Sequence, residues 1–120
     1  MKHLLIEHST VFRDRLFAVN EFQTGNPDIN IAITKISTRY PINEGTWAVN
    51  DKSTMVVIVA EGHGKIVVED NETPIRKFSM IEIPAGEKYI WKSDGGPFMP
   101  LVLIIASHPA WIPEQHRTIG

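Results

Sequence analysis

The sequence predicts a single all-β domain, and three observations carry that prediction. Residues alternate with a period of two, as in Ile29, Ile31 and Ile33 against Asn30, Ala32 and Thr34, the pattern of a half-buried strand. Turn residues recur about every eight to twelve positions, the spacing of a sandwich or barrel. A chain of 120 residues with 42% hydrophobic content is long enough for one core and too short for two. The domain is therefore expected to span 1–120.

At the N-terminus, MKHLLIEHSTVF has too short an apolar stretch for a secretory signal and no small-residue cleavage site. Residues 9–17, STVFRDRLF, fit a short helical turn capped by Ser9 or Thr10, and fit a strand equally well. Gly25-Asn26-Pro27 is a turn. MVVIVAEG, from Met55 to Gly62, is a β-branched run that predicts a strand buried on both faces. KIVVE then meets Asp70-Asn71-Glu72, turn residues expected to reverse the chain into a hairpin. FSMIEIPAG is a strand stopped by Pro84 and Gly86; YIWK follows, then the loop SDGGP from Ser93 to Pro97, then the strand MPLVLIIAS. The end, PAWIPEQHRTIG, has proline at Pro113 where a helical turn begins well. Helix is thus expected only as short turns near the termini.

Composition narrows the function. A formal net charge of −2 offers no basic face for phosphate, so nucleic acid is not an expected partner. The absence of cysteine removes disulfides and thiolate chemistry. The longest apolar run, Leu101 to Ala106, is too short to span a bilayer; no membrane partner and a cytoplasmic location are expected. There is no glycine-rich phosphate loop, no G-x-S-x-G elbow and no H-E-x-x-H pair, and EGHGK is a β-turn.

Three pieces, Ile83-Pro84-Ala85-Gly86, VIVAEGHGKIVVED with its glycines Gly62 and Gly64, and SHPAWIPEQHR, stand in an order and spacing that resembles a small single-domain cupin of the RmlC-like superfamily. The likeness covers a barrel core at about 46–117. It implies a double-stranded β-helix, a jelly-roll barrel of two sheets, and often a homodimer. Edge physics agrees, because packing two sheets together protects their edges. A strand apolar on both faces, Met55 to Ala60, also asks for a partner outside the barrel, and a second copy would supply it.

Cupins hold a divalent metal inside the barrel through two histidines, a glutamate and a later histidine. Set against those motifs, Met55 stands at the glutamate. Ala48 and Asn50 stand at the paired histidines, or Val49 and Asp51 with the shorter spacing. Tyr89 stands at the last histidine, Ser93 at the asparagine, and Phe78 at the opening glycine of the second motif. Iron, manganese or zinc wants several imidazole and carboxylate donors, which these residues do not provide. No metal and no other cofactor is expected.

If the family's inward register holds, the interior carries Met55, Tyr89 and Trp91, with Asn50 or Asp51 nearby and Trp47 facing in under one of the two spacings. Trp47, Asn50, Met55, Tyr89 and Trp91 are therefore the candidate ligand-binding residues. For Met55 and Trp91 the filled core is the favoured reading, whereas Tyr89 suits either and needs a partner for its hydroxyl wherever it is buried. Of the histidines, His3 and His8 are expected at the surface, His63 in an exposed turn, His108 overhanging the barrel mouth and His116 in a polar tail. Glu44, Glu82 and Glu87 are expected in solvent, Glu87 nearest the rim.

The leading expectation is a metal-free cupin that binds a small organic molecule, carbohydrate-like or aromatic, or has kept only the fold. A metal-independent sugar isomerase or epimerase is the alternative, with Tyr89 as acid and His108 or Asp51 as base. A third is a metal-dependent oxygenase with ligands recruited elsewhere, for instance His63 and His108. Whether the chain is an enzyme stays open on the sequence.

Overall fold

The computed structural model describes residues 2–14 and 16–120. Met1, in the N-terminal apolar stretch, and Arg15, in the segment 9–17, lie outside them. The chain runs β1 (Thr10–Arg13), β2 (Phe17–Gln23), β3 (Asn30–Ile36), β4 (Arg39–Tyr40), β5 (Trp47–Asn50) and β6 (Thr54–Glu61). It continues through β7 (Gly64–Val68), β8 (Asn71–Ile75), β9 (Met80–Ile83), β10 (Tyr89–Ser93), β11 (Leu101–His108) and β12 (His116–Ile119). One sheet has the order β1-β2-β3-β11-β6-β9 and the other β12-β5-β10-β7-β8, with β4 also paired to β10. All pairings are antiparallel. This is the expected all-β jelly roll, and among the described residues helix is limited to single 3₁₀ turns at Ile6–His8, Gly96–Phe98 and Pro113–Gln115.

The core forms where the sheets face each other. Ile36, Ala48, Val57, Val59, Leu101 and Leu103 are fully buried there, with Trp91 at 2% exposure. Each large aliphatic side chain so buried contributes about 1.5–3 kcal/mol. The chain crosses from the first sheet to the second between β6 and β7, and the glycine pair makes the crossing possible. Gly62 has φ +81, and a Cβ there would sit 2.6 Å from the Pro100 carbonyl oxygen. At Gly64 a Cβ would lie 1.9 Å from the Lys92 carbonyl oxygen. Any side chain would push the crossing apart.

Several elements differ from expectation. In the segment 9–17 the strand wins, because β1 pairs with β2 from Thr10↔Glu21 to Arg13↔Ala18. The alternation in β3 is present, but Asn30, Ala32, Thr34 and Ile36 are its buried positions while Ile31 and Ile33 are only partly buried. β6 is not buried on both faces: Met55, Val57 and Val59 are, yet Ile58 remains 37% exposed. The hairpin turns at Glu69-Asp70, and Asn71 already begins β8. The tail is not a free polar end. Buried Gln115 accepts from the backbone N–H of Lys52 at 3.0 Å and of Ser53 at 2.7 Å through Oε1. Its Nε2 donates to Ser53 Oγ at 2.8 Å, which locks the end of the chain onto the turn after β5.

Among the described residues no helix is long and apolar enough to cross a membrane.

Candidate functional site

Between the sheets lies a cavity of about 250 Å³. Its aromatic wall is Phe12, Phe17, Tyr40, Tyr89, Trp91 and Trp111. Its polar lining is Glu21, Thr34, Asn50, Ser107 and His116, and among the described residues no lysine or arginine lines it. Rings meet edge-on, Phe17 against Tyr40 at 5.0 Å and Phe12 against Trp111 at 5.9 Å, the arrangement that aromatic quadrupoles favour.

Asn50 organises the wall on the second sheet. It is placed by the loop after β9, where Gly86, at φ +85, donates its N–H to the Asn50 carbonyl at 2.8 Å. The indole of Trp111 can only donate, so the atom it meets at 2.9 Å is Asn50 Oδ1. His116 Nδ1 lies 2.7 Å from the same oxygen and must donate as well. Asn50 Nδ2 in turn donates to the Tyr89 hydroxyl at 3.2 Å and to Met55 Sδ at 3.3 Å. The amide thus has both lone pairs and both protons engaged.

That saturation settles the imidazole. With Nδ1 carrying its proton, Nε2 of neutral His116 is an acceptor, and the Tyr40 hydroxyl stands 2.6 Å away to donate. β12 pairs with β5 so that His116 lies opposite Asn50, which is why one amide can fix the ring. Burial lowers the His116 pKa and raises that of Tyr40. Tyr89 is pushed up further, first by burial and then by Tyr40, against the Asn50 hydrogen bond that lowers it. All three groups are neutral at pH 7.

The facing wall carries a carboxyl. Glu21 on β2 is 7% exposed, and its Oε2 accepts from Asn30 Nδ2 at 2.8 Å. Asn30 is held by the main chain of Trp111, accepting its N–H at 2.9 Å and donating to its carbonyl at 3.3 Å. Burial raises the Glu21 pKa to about 7, because desolvation disfavours the charged form.

Of the sequence candidates, Asn50, Met55, Tyr89 and Trp91 line the cavity, and the cupin spacing that places Asn50 at a histidine position is the one that faces inward. Trp47 does not line it; its ring lies under Lys88 Nζ at 4.4 Å. Asp51 is turned away and accepts from Arg117 Nε at 3.0 Å. His108 is exposed at the end of β11, and Ser107, with the opposite parity, lines the cavity instead. His63 sits in the exposed turn beside Asp94 at 3.3 Å. His116, expected in a polar tail, is the histidine of the cavity.

Sequence reasoning missed Phe12, Phe17, Glu21, Tyr40, Trp111 and His116. One signal was available. In FAVNEFQ, Glu21 shares strand parity with Phe17 and Val19, which places a carboxylate on the apolar face.

The residues do not fit the family's metal. Asn50, Met55 and Tyr89 do converge at the ligand positions, but they bond one another and offer no imidazole or carboxylate set. Among the described residues, no three His, Cys, Asp or Glu side chains are grouped to hold an ion.

No family model matches the sequence, and no curated protein matches it. Solved structures do. Pac13 from Streptomyces, a nucleoside dehydratase, in a form bound to uridine, has a TM-score of 0.81 at 12% identity, covering 100% of this chain and 92% of its own. Ectoine synthase from P. lautus has a TM-score of 0.76 at 15% identity, covering 100% and 91%. The cupin domain of Cnp3 from Schizosaccharomyces pombe reaches 0.67 at 11% identity, covering 88% and 72%. Identity this low makes the likeness one of architecture. Two packed antiparallel sheets, the glycine-pair crossing and these structural neighbours together show that the chain has the fold of a small cupin.

Proposed function

We propose that the cavity binds a small, uncharged organic molecule, ring-bearing or carbohydrate-like, and that Tyr40 and His116 move a proton on it without a metal. The observation that carries this is the 2.6 Å contact between the Tyr40 hydroxyl and His116 Nε2, inside an apolar chamber and with Nδ1 already committed to Asn50. In this state the pair is a base. A proton leaving the ligand goes to the Tyr40 oxygen while the proton of Tyr40 passes to Nε2, and Asn50 Oδ1 steadies the imidazolium. Tyr89, which accepts from Asn50, keeps its own O–H for a ligand oxygen, and Trp91 and Met55 supply apolar surface. Among the described residues no lysine or arginine lines the cavity, which argues against phosphorylated ligands, whose desolvation they would leave uncompensated. Among proteins of this fold, Pac13 is a nucleoside dehydratase and holds uridine, so neutral nucleosides are natural probes.

Calorimetric titration with uridine, thymidine, simple glycosides and aromatic ketones tests the reading. At least one neutral ring compound is expected to bind wild type and the His116→Gln variant alike, while phosphorylated counterparts do not. Failure of the whole panel, or one equivalent of divalent ion in protein purified without a histidine tag, would overturn it.

A homodimer belongs to the same reading. The first sheet turns Ile31, Ile33, Val56, Ile58 and Ile104 away from the cavity, and cross-strand pairing joins Ile33, Ile104 and Ile58 in one row. Ile58 and Ile104 are 37% and 41% exposed, and a second copy would remove this apolar band from water. Light scattering that finds a monomer at micromolar concentration rules the dimer out.

A further inference from the structure

Glu21 is not used by the base just described, and its surroundings are unusual. It lies on β2 of the first sheet, whereas Tyr40 and His116 belong to the second, so a ligand in the cavity lies between them. Oε2 is held by Asn30, whose amide orientation is set by the backbone of Trp111. Glu21 lines the cavity, and among the described residues its hydrogen bond is made through Oε2, which leaves Oε1 uncommitted. A glutamine here would satisfy Asn30 equally well and avoid the cost of burying a carboxyl. The acidic proton is the property that the amide lacks.

We propose that Glu21 is the acid of the chamber, paired across it with the Tyr40–His116 base, and that its proton goes to a leaving hydroxyl of a neutral β-hydroxy carbonyl compound. The inference rests on the proton-transfer reading above. A carboxylic O–H donates a hydrogen bond to an oxygen lone pair, which a saturated carbon lacks, so a leaving hydroxyl is the acceptor it is suited to. The proton on the carbon beside the carbonyl goes to the Tyr40 oxygen, as the proton of Tyr40 moves to His116 Nε2. The C–H electron pair becomes the C=C bond. The C–O bond breaks with its pair on the hydroxyl oxygen, which takes the proton of Glu21 and departs as water. Solvent then returns a proton to Glu21 and removes one from His116, so no oxidant or metal is consumed. Burial, which holds the Glu21 pKa near 7, keeps the proton available in neutral solution.

The probe is the aldol of benzaldehyde and acetone, a neutral, ring-bearing β-hydroxy ketone whose dehydration is followed in the near ultraviolet. Exchange of its α-hydrogen in heavy water is followed by NMR. Wild type is expected to do both. Glu21→Gln should lose elimination by about 100-fold or more while exchange stays within about threefold, since an acid acts only on the leaving group. Exchange in the same variant also reports that its site is folded. His116→Gln should lose both reactions. Elimination by Glu21→Gln at the wild-type rate, or equal loss of both reactions in it, overturns the acid assignment and leaves the base standing. A wild type that exchanges no α-hydrogen removes the base, and this proposal with it.

Discussion

The two walls of the cavity are each organised by a buried asparagine, and both asparagines hold Trp111. Asn30 on the first sheet grips its main chain, and Asn50 on the second accepts from its indole. Beyond that the walls diverge. The Asn50 network closes on neutral groups, with every lone pair and proton of the amide engaged. The Asn30 network ends in a carboxyl that lines the cavity, bonded through Oε2 alone among the described residues. One wall is a saturated scaffold that fixes a histidine tautomer, and the other holds a group in reserve. An orienting network and a reactive group thus need opposite degrees of hydrogen-bond satisfaction.

Replacing Asn50 by Leu breaks the comparison most severely. It strands the donors of Trp111 and His116 and removes the donor to Tyr89, so urea denaturation should show a loss of about 3–5 kcal/mol. A loss below about 1 kcal/mol would mean that water replaces the amide freely.

The pH dependence of stability sharpens the contrast, because the two titrating groups act with opposite sign. Glu21 binds its proton more tightly folded than unfolded. The folded state therefore sheds stability as pH rises from 4.5 to about 7, by at most about 3 kcal/mol. Glu21→Gln should flatten that stretch of the curve and leave the protein more stable than wild type at pH 8. His116 binds its proton less tightly folded than unfolded, so its share of stability is present above its ordinary value and lost as pH falls below it. His116→Gln should flatten the acid side instead. Denaturation midpoints measured from pH 4 to 8 would reveal equal slopes if the assignment of sign were wrong.

The smallest effects are expected outside both walls. The ion pair of Asp51 with Arg117 is exposed, with side chains 44% and 53% accessible, so Asp51→Asn should change stability by less than about 0.5 kcal/mol. Neither it nor Trp47→Ala should alter binding of a neutral probe. A tenfold loss of affinity in either would return these residues to the site.

The legible half of the site is the half that a motif reaches. Asn50, Met55, Tyr89 and Trp91 lie at or next to positions that the loop Ile83-Pro84-Ala85-Gly86 and the glycines Gly62 and Gly64 fix by spacing, and strand parity carries them inward. Trp47 and Asp51 fell on the wrong side because two spacings compete, and a shift of one residue reverses every side chain. Phe12, Phe17, Glu21 and Tyr40 come from the first 45 residues, which hold no such marker. β3 misleads outright, since its Ile31 and Ile33 turn away from the cavity and its Asn30 and Thr34 turn in.

By itself the sequence determined an all-β chain, the jelly roll and a glycine-marked turn at Gly62 and Gly64, because turn chemistry and alternation are local properties; that this turn carries the chain from one sheet to the other is tertiary. Tertiary structure alone decided that β12 returns beside β5. That pairing brings His116 opposite Asn50 and within reach of Tyr40, 76 residues away in the chain. Only the packing of β2 across from them placed Glu21 in the same cavity. Such meetings depend on which strands become neighbours and which sheet faces which, and no residue's own neighbourhood in the chain encodes that.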